Sequence, residues 1–156
     1  LNYIEAGIKE GAKLAVGGKR IVDGDFAKGC FVEPTVFVDC KSNMKIVKEE
    51  IFGPVLTVQS FSTEEEAIDI ANDTIYGLAG AVFTKDIGRA LRVCKSVKSG
   101  LLWVNTYLEA DPSLPASPCK QSGTGVVGGI SGLEGFTVSK QINIRLNPKK
   151  TNWFSE

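Results

Sequence analysis

The chain contains no histidine among its 156 residues and only one methionine. Without an imidazole, no Ser-His-Asp or Cys-His mechanism can be carried wholly on this chain, and a Cys/His zinc site is disfavoured, so no metal is expected. Its four cysteines, Cys30, Cys40, Cys94 and Cys119, form no C-x-x-C pair. With no secretory signal in view, a chain of this size reads as cytoplasmic with reduced thiols. Asn72-Asp73-Thr74 fits the glycosylation pattern but carries little weight for the same reason. Surplus charge is missing too: Lys plus Arg and Asp plus Glu are each 18, a balance that advertises neither nucleic acid nor an anionic membrane. No apolar run is long enough to span a bilayer. The first residue is Leu1 rather than Met, which leads us to expect a piece of something longer.

What is present suits one globular domain: 43% of residues are hydrophobic and 23% charged, enough to bury a sizeable core. Leu1, Ile4, Ile8 and Ala12 recur at helical spacing, which predicts a helix over 1–12. A short strand over 13–16 is stopped by Gly17-Gly18, the segment 19–30 is polar and Gly-punctuated, and 31–38 is β-rich around Pro34. A short helical turn is expected over 46–50, then a strand over 55–61. Ser62 and Glu65 have capping-box spacing ahead of a helix over 63–72. A strand over 79–84, a helix capped by Asp86 through Val97, a turn at Gly100 and a strand over 101–105 complete a strand-helix alternation. That order predicts an α/β fold with parallel pairing, in which loops at the carboxyl ends of strands bind ligands.

Residues 106–135 read as a long loop rich in Pro, Gly and Ser, more often functional than idle at that length. Within it, Gly123-Thr124-Gly125-Val126-Val127-Gly128 matches G-x-G-x-x-G. The context fails for a dinucleotide fingerprint, because no strand is read before it, no helix after it and no acidic residue about twenty positions on. Flexible backbone is the simpler reading. Cys119 beside Lys120 has no base to activate it, and Cys94 and Trp103 read as core, the indole N–H bonded locally. Residues 139–146 read as a final strand. In the polar tail 148–156, Trp153-Phe154 suggests a subunit contact.

The segment Glu49-Glu50-Ile51-Phe52-Gly53-Pro54-Val55 admits two readings. One is a solvated helix end running into a core phenylalanine and a turn. The other is a ligand-facing corner, with a carboxylate accepting sugar hydroxyl hydrogen bonds and Phe52 walling a flat ring.

That segment, together with Asn72-Asp73-Thr74-Ile75-Tyr76-Gly77-Leu78-Ala79-Gly80-Ala81-Val82-Phe83-Thr84, Trp103-Val104-Asn105-Thr106 and Lys120-Gln121-Ser122-Gly123, resembles successive blocks of the aldehyde dehydrogenase superfamily, in order and at similar intervals. The resemblance covers essentially the whole chain and matches the C-terminal part of that fold. Asn105-Thr106-Tyr107 and the closing Asn147-Pro148 to Trp153-Phe154-Ser155 look most like betaine-aldehyde-type members. The resemblance implies a parallel-sheet α/β sandwich over residues 1–138, the C-terminal part of the catalytic domain, followed over 139–156 by an oligomerisation strand and tail. In the family a cysteine thiolate attacks the aldehyde, hydride passes to NAD(P)+, and a glutamate-activated water releases the acid. The nucleophile and base would lie in sequence upstream of this chain, so no catalytic residue is expected here and the isolated chain should be inactive. Glu50 would accept hydrogen bonds from the nicotinamide ribose of NAD or NADP, and Phe52 would pack against the nicotinamide side. Asn105, Thr106, Tyr107 and Ala116 would line the pocket for a small aldehyde. Partners would be the remainder of the enzyme and a second copy through the last strand. Two departures stand out. Ala116 replaces an aromatic of the family pattern, and Val126-Val127 replaces an Arg-Glu pair. They leave open an alternative, a catalytically silent truncated homologue with an assembly role.

Overall fold

A computed structural model describes residues 1–146. Helix α1 (Asn2–Lys9) ends where Gly11 takes φ +89, so that the N–H of Ala12 can return to the Gly7 carbonyl at 2.9 Å. Glycine meets that left-handed requirement without a Cβ penalty, and the helix is shorter than its apolar spacing predicted. Strand β1 (Lys13–Val16) pairs antiparallel with β2 (Thr35–Val38), and β2 pairs parallel with β3 (Val55–Thr57). The regular pairing of β3 stops before Phe61, although the N–H of Val58 still donates to the Phe37 carbonyl at 2.8 Å. In the polar segment 19–30 a short 3-10 turn, Gly24–Lys28, had no sequence signal.

The main core lies between this sheet, α1 and the four-residue helix α2 (Lys45–Lys48). Ile4, Ala12, Phe37, Cys40, Met44 and Ile46 are buried together, with Tyr3, Val32, Val47, Ile51 and Val55 packed against them. Burial pushes the Cys40 thiol above its ordinary value. Helix α2 is too short to sustain itself by propensity; it stands because the core holds Ile46 and because Glu10 accepts the Lys45 N–H at 2.7 Å at its start.

The second half is a helix-strand arrangement as expected. Helix α3 (Glu64–Asn72) is capped one residue later than Ser62 and Glu65 suggested: Thr63 Oγ1 accepts the Glu66 N–H at 3.1 Å, and Glu66 Oε2 accepts the Ser62 N–H at 2.6 Å. The run Ser62-Thr63-Glu64-Glu65-Glu66 offers the box spacing in both registers, and the later one wins. Helix α4 (Ile87–Ser96) begins as predicted, with Asp86 Oδ1 accepting the Arg89 N–H at 3.0 Å. Glu64 joins the two helices, accepting from Arg92 Nε at 3.0 Å and Arg89 Nε at 3.2 Å, and the Arg92 guanidinium holds the Glu64 carboxyl below the usual range. Strands β5 (Ala79–Val82) and β6 (Leu101–Val104) pair parallel in register, Ala79 with Leu101 through Val82 with Val104.

Two-residue strands β4 (Tyr76–Gly77) and β7 (Cys119–Lys120) pair antiparallel, and a short helix α5 (Gly129–Glu134) follows, so the expected loop 106–135 is not structureless. The described residues thus form three separate small sheets. The final strand expected over 139–146 is not formed. Among the described residues no neighbouring strand completes its ladder, and Ile142, Ile144 and Leu146 stand exposed. The tail from 148, with Trp153-Phe154, lies outside the described residues. No helix among the described residues is long and apolar enough to cross a membrane.

Candidate functional site

The corner 49–55 is shaped by what its neighbours bury. Ile51 and Val55 pack on the core, and between them Phe52 adopts φ +52, a conformation uncommon for a residue with a bulky side chain. Its ring is turned out and is 92% exposed, so the reading of Phe52 as a core residue fails. Pro54 follows and disfavours helix at Gly53, while the Pro54 carbonyl is pinned by the Thr35 N–H at 2.8 Å.

The two carboxylates have different fates. Glu49 Oε2 accepts from the Tyr3 hydroxyl at 2.8 Å and lies 3.9 Å from Lys45 Nζ. That hydrogen bond raises the Tyr3 phenol above its ordinary range. Glu50 is exposed and has no hydrogen bond or ion pair to other described residues. It borders a groove of about 320 Å³ whose walls include Lys48, Thr74, Tyr76, Ala79 and Lys98. A charged acceptor and an apolar ring, both exposed on one corner, could meet the hydroxyls of a ribose and the face of a flat heterocycle.

The other predicted site residues sit elsewhere. Asn105, at φ +57, has its amide occupied: Oδ1 accepts the Thr84 N–H and Nδ2 donates to the Thr84 carbonyl, each at 2.8 Å. It staples the ends of β5 and β6 and fixes where the following loop departs. Thr106 is half-buried beside it, and the exposed Tyr107 ring meets Trp103 edge-on at 5.3 Å. The Trp103 indole N–H donates to the Glu109 carbonyl at 2.6 Å, the local bond expected of it. Ala116 is half-buried and exchanges backbone hydrogen bonds with Val127 at 2.8 and 2.9 Å. None of these four lines the groove beside Glu50.

The G-x-G-x-x-G stretch does open a helix, contrary to expectation, since α5 starts at Gly129. Its role is nevertheless packing. A Cβ on Gly128 would meet the Leu114 carbonyl oxygen at 2.5 Å, and the Gly129 N–H donates to the Pro112 carbonyl at 3.0 Å. These glycines let the chain fold back on residues 112–116, with no acidic residue placed for a ribose.

What composition and spacing missed is a knot at the end of α3. Asn72 donates to the Ser96 carbonyl at 2.9 Å and accepts the Lys98 N–H at 2.7 Å. Lys120 Nζ donates to the carbonyls of Asn72 and Thr74, each at 3.0 Å, and Lys48 Nζ lies 2.7 Å from Asp73 Oδ2. Only the adjacency of Asn72-Asp73-Thr74 hinted at it. All four cysteines are free thiols, and no group of His, Cys, Asp or Glu among the described residues could hold a metal ion.

Residues 1–142 match the model of the aldehyde dehydrogenase family. The betaine aldehyde dehydrogenase of Bacillus subtilis (strain 168) is 50% identical over 153 residues, which is 98% of this chain and 31% of that protein. Crystal structures of Staphylococcus aureus betaine aldehyde dehydrogenase in complex with NAD+ superpose with a TM-score of 0.91 at 51% identity in one case, and 0.93 at 50% in another. Each comparison covers 99% of this chain and 31% of the other. The chain therefore spans about a third of the length of the relatives it matches. The family match over nearly the whole chain, the parallel β2–β3 and β5–β6 pairs and the close superposition agree: this chain belongs to the aldehyde dehydrogenase family.

Proposed function

We propose that this chain is the C-terminal portion of an NAD(P)-dependent aldehyde dehydrogenase that oxidises an aldehyde, betaine aldehyde or a similar aminoaldehyde, to the carboxylate. Its relatives' names support the substrate class, and NAD+ in the Staphylococcus structures supports the cofactor. The observation that carries the reading is the Glu50–Phe52 corner, which leaves a charged acceptor unpartnered and a phenylalanine 92% exposed. NAD(P)+ bound there supplies the hydride acceptor. Glu50 accepts the ribose hydroxyls, Phe52 covers the apolar side of the ring, and the two together fix its distance and tilt. The loop from Asn105 to Cys119 forms the substrate entrance, with Thr106, Tyr107 and Ala116 on its wall and Asn105 setting its take-off.

Exposed Phe83, Ile87 and Leu91, and the cavity of about 620 Å³ between α3, α4 and β5, are covered by the remainder of the enzyme. Residues 139–146 complete a strand pairing with a second copy. The protein works in the cytoplasm, in keeping with its four free thiols.

In the full-length enzyme, Glu50→Gln is expected to lower kcat/KM for the cofactor by roughly 10- to 100-fold, the worth of a hydrogen bond to a charged acceptor, with the melting temperature nearly unchanged. Lost thermal stability with unchanged turnover would overturn the cofactor role. Because the nucleophile lies outside these residues, the purified chain alone should form no NADH from any aldehyde. Steady turnover by the pure chain would refute that division of labour. A silent homologue, the reading favoured by Ala116 and Val126-Val127, predicts instead that the full-length protein turns over no aldehyde either.

A further inference from the structure

We propose that Lys48 and Asp73 are positioning residues that set where Glu50 stands, an inference that rests on the cofactor reading of Glu50 above. Little holds the corner on its groove side. Helix α2 is four residues long, and Lys48 is its last. From Lys48 to Glu50 the chain reaches at most about 7 Å, so the placement of one constrains the other. On the far side, Tyr3 ties Glu49 to α1 and Ile51 is seated on the core. On the groove side, the tie from α2 is Lys48 Nζ, 2.7 Å from Asp73 Oδ2 and 3.3 Å from the Asp73 carbonyl.

The anchor is fixed independently. The Asp73 N–H donates to the Asp69 and Ile70 carbonyls, closing α3. Asn72 is held by Ser96 and Lys98, and Lys120 spans the carbonyls of Asn72 and Thr74. Two segments distant in sequence, the end of α4 and Lys120 of β7, therefore brace residues 72–74, and Lys48 latches the Glu50 corner to that brace. Lys48, Glu50, Thr74 and Tyr76 all line the same groove, so the Lys48–Asp73 latch ties the residues before Glu50 to the segment that carries Thr74 and Tyr76. The side chains are 40% and 54% exposed. A pair this exposed adds little to folding, and its worth lies in geometry, where small misplacements of a binding group are costly.

The test uses the full-length enzyme with Lys48→Met, Asp73→Asn, the double variant and Lys48→Arg. It reads the NAD+ dissociation constant by calorimetry, both KM values and the melting temperature. Lys48→Met and Asp73→Asn should each raise the NAD+ dissociation constant roughly tenfold, and the double variant no further, since either change alone opens the latch. The aldehyde KM and melting temperature should stay near the parent's, and Lys48→Arg should restore binding. Unchanged NAD+ affinity in the single variants while Glu50→Gln weakens it overturns the positioning role alone. Affinity and melting temperature falling together, or additive effects in the double variant, also overturn it. If Glu50→Gln itself leaves NAD+ affinity unchanged, the cofactor reading falls and this inference with it.

Discussion

Phe37→Ala should lower the unfolding free energy by about 3–5 kcal/mol, the range for deleting a buried phenyl ring. Phe37 is 0% exposed and central in β2, where its carbonyl accepts the Val58 N–H and its ring tip lies against Gly7 and Ile46. A Cβ on Gly7 would meet Ile46 Cδ1 at 2.8 Å and Phe37 Cζ at 3.1 Å, so α1, α2 and the sheet are already in close contact. Such a site cannot collapse around the hole, which places the expected cost toward the upper end. Domains of this kind have roughly 5–15 kcal/mol in total, so the variant should sit near its unfolding threshold. The functional consequence follows from the same cluster: Ile51 and Val55 rest on it, and they are what turn Phe52 outward. Urea unfolding should show a lower midpoint at unchanged slope. A loss under about 1 kcal/mol would mean that this cluster is not what holds the Glu50–Phe52 corner.

That dependence explains which parts of the site were legible. Local signals were read well where they act locally. The Asp86 cap and the Gly-Pro corner stand where spacing and composition put them, and the strands expected over 79–84 and 101–105 form in shorter versions over Ala79–Val82 and Leu101–Val104. Errors cluster where the deciding partner is remote. Two-residue strands β4 and β7 have no periodicity of their own and exist because residues 45 positions apart meet, as in the Gly77 N–H donating to Ser122 Oγ. Helix α5 hides in a glycine run whose propensity argues against helix. Residues 139–146 carry a strand-like pattern with no strand paired to them among the described residues. The resemblance puts Asn105 at the pocket, and no local pattern shows that its amide is engaged by the backbone of Thr84, 21 residues earlier. Conversely, nothing in the sequence pairs Lys48 with Asp73, which meet because α2 and the end of α3 converge. The resemblance located Glu50 and Phe52. What it left open was why they project, and the answer lies in Ile51, Tyr3 and Lys48.

Gly100→Ala should be the second large loss, about 2–4 kcal/mol, because the added methyl has nowhere to go. A Cβ at Gly100 would overlap the Ser117 carbonyl oxygen and reach Pro118 Cα at 3.2 Å, and these are backbone atoms that cannot swing aside as a side chain would. The surroundings are equally stiff. The Gly100 N–H donates to the Gly77 carbonyl at 3.1 Å, and a Cβ on Gly77 would itself meet the Lys98 carbonyl at 2.5 Å. Relief therefore requires lifting Ser117-Pro118 off the turn, which strains the Tyr76–Lys120 and Gly77–Cys119 pairing just beyond. Those contacts seat the far end of the loop that starts at Asn105, so its proposed role at the substrate entrance makes a specific demand. In the full-length enzyme, Gly100→Ala should raise the aldehyde KM more than the NAD+ dissociation constant, the opposite of Lys48→Met. If stability stays within about 0.5 kcal/mol of the parent, as surface substitutions do, the loop has no fixed seat on Gly100. If instead stability falls while NAD+ affinity and aldehyde KM change by the same factor, the corner and the loop are one mechanical unit, and their separation into cofactor and substrate halves is wrong.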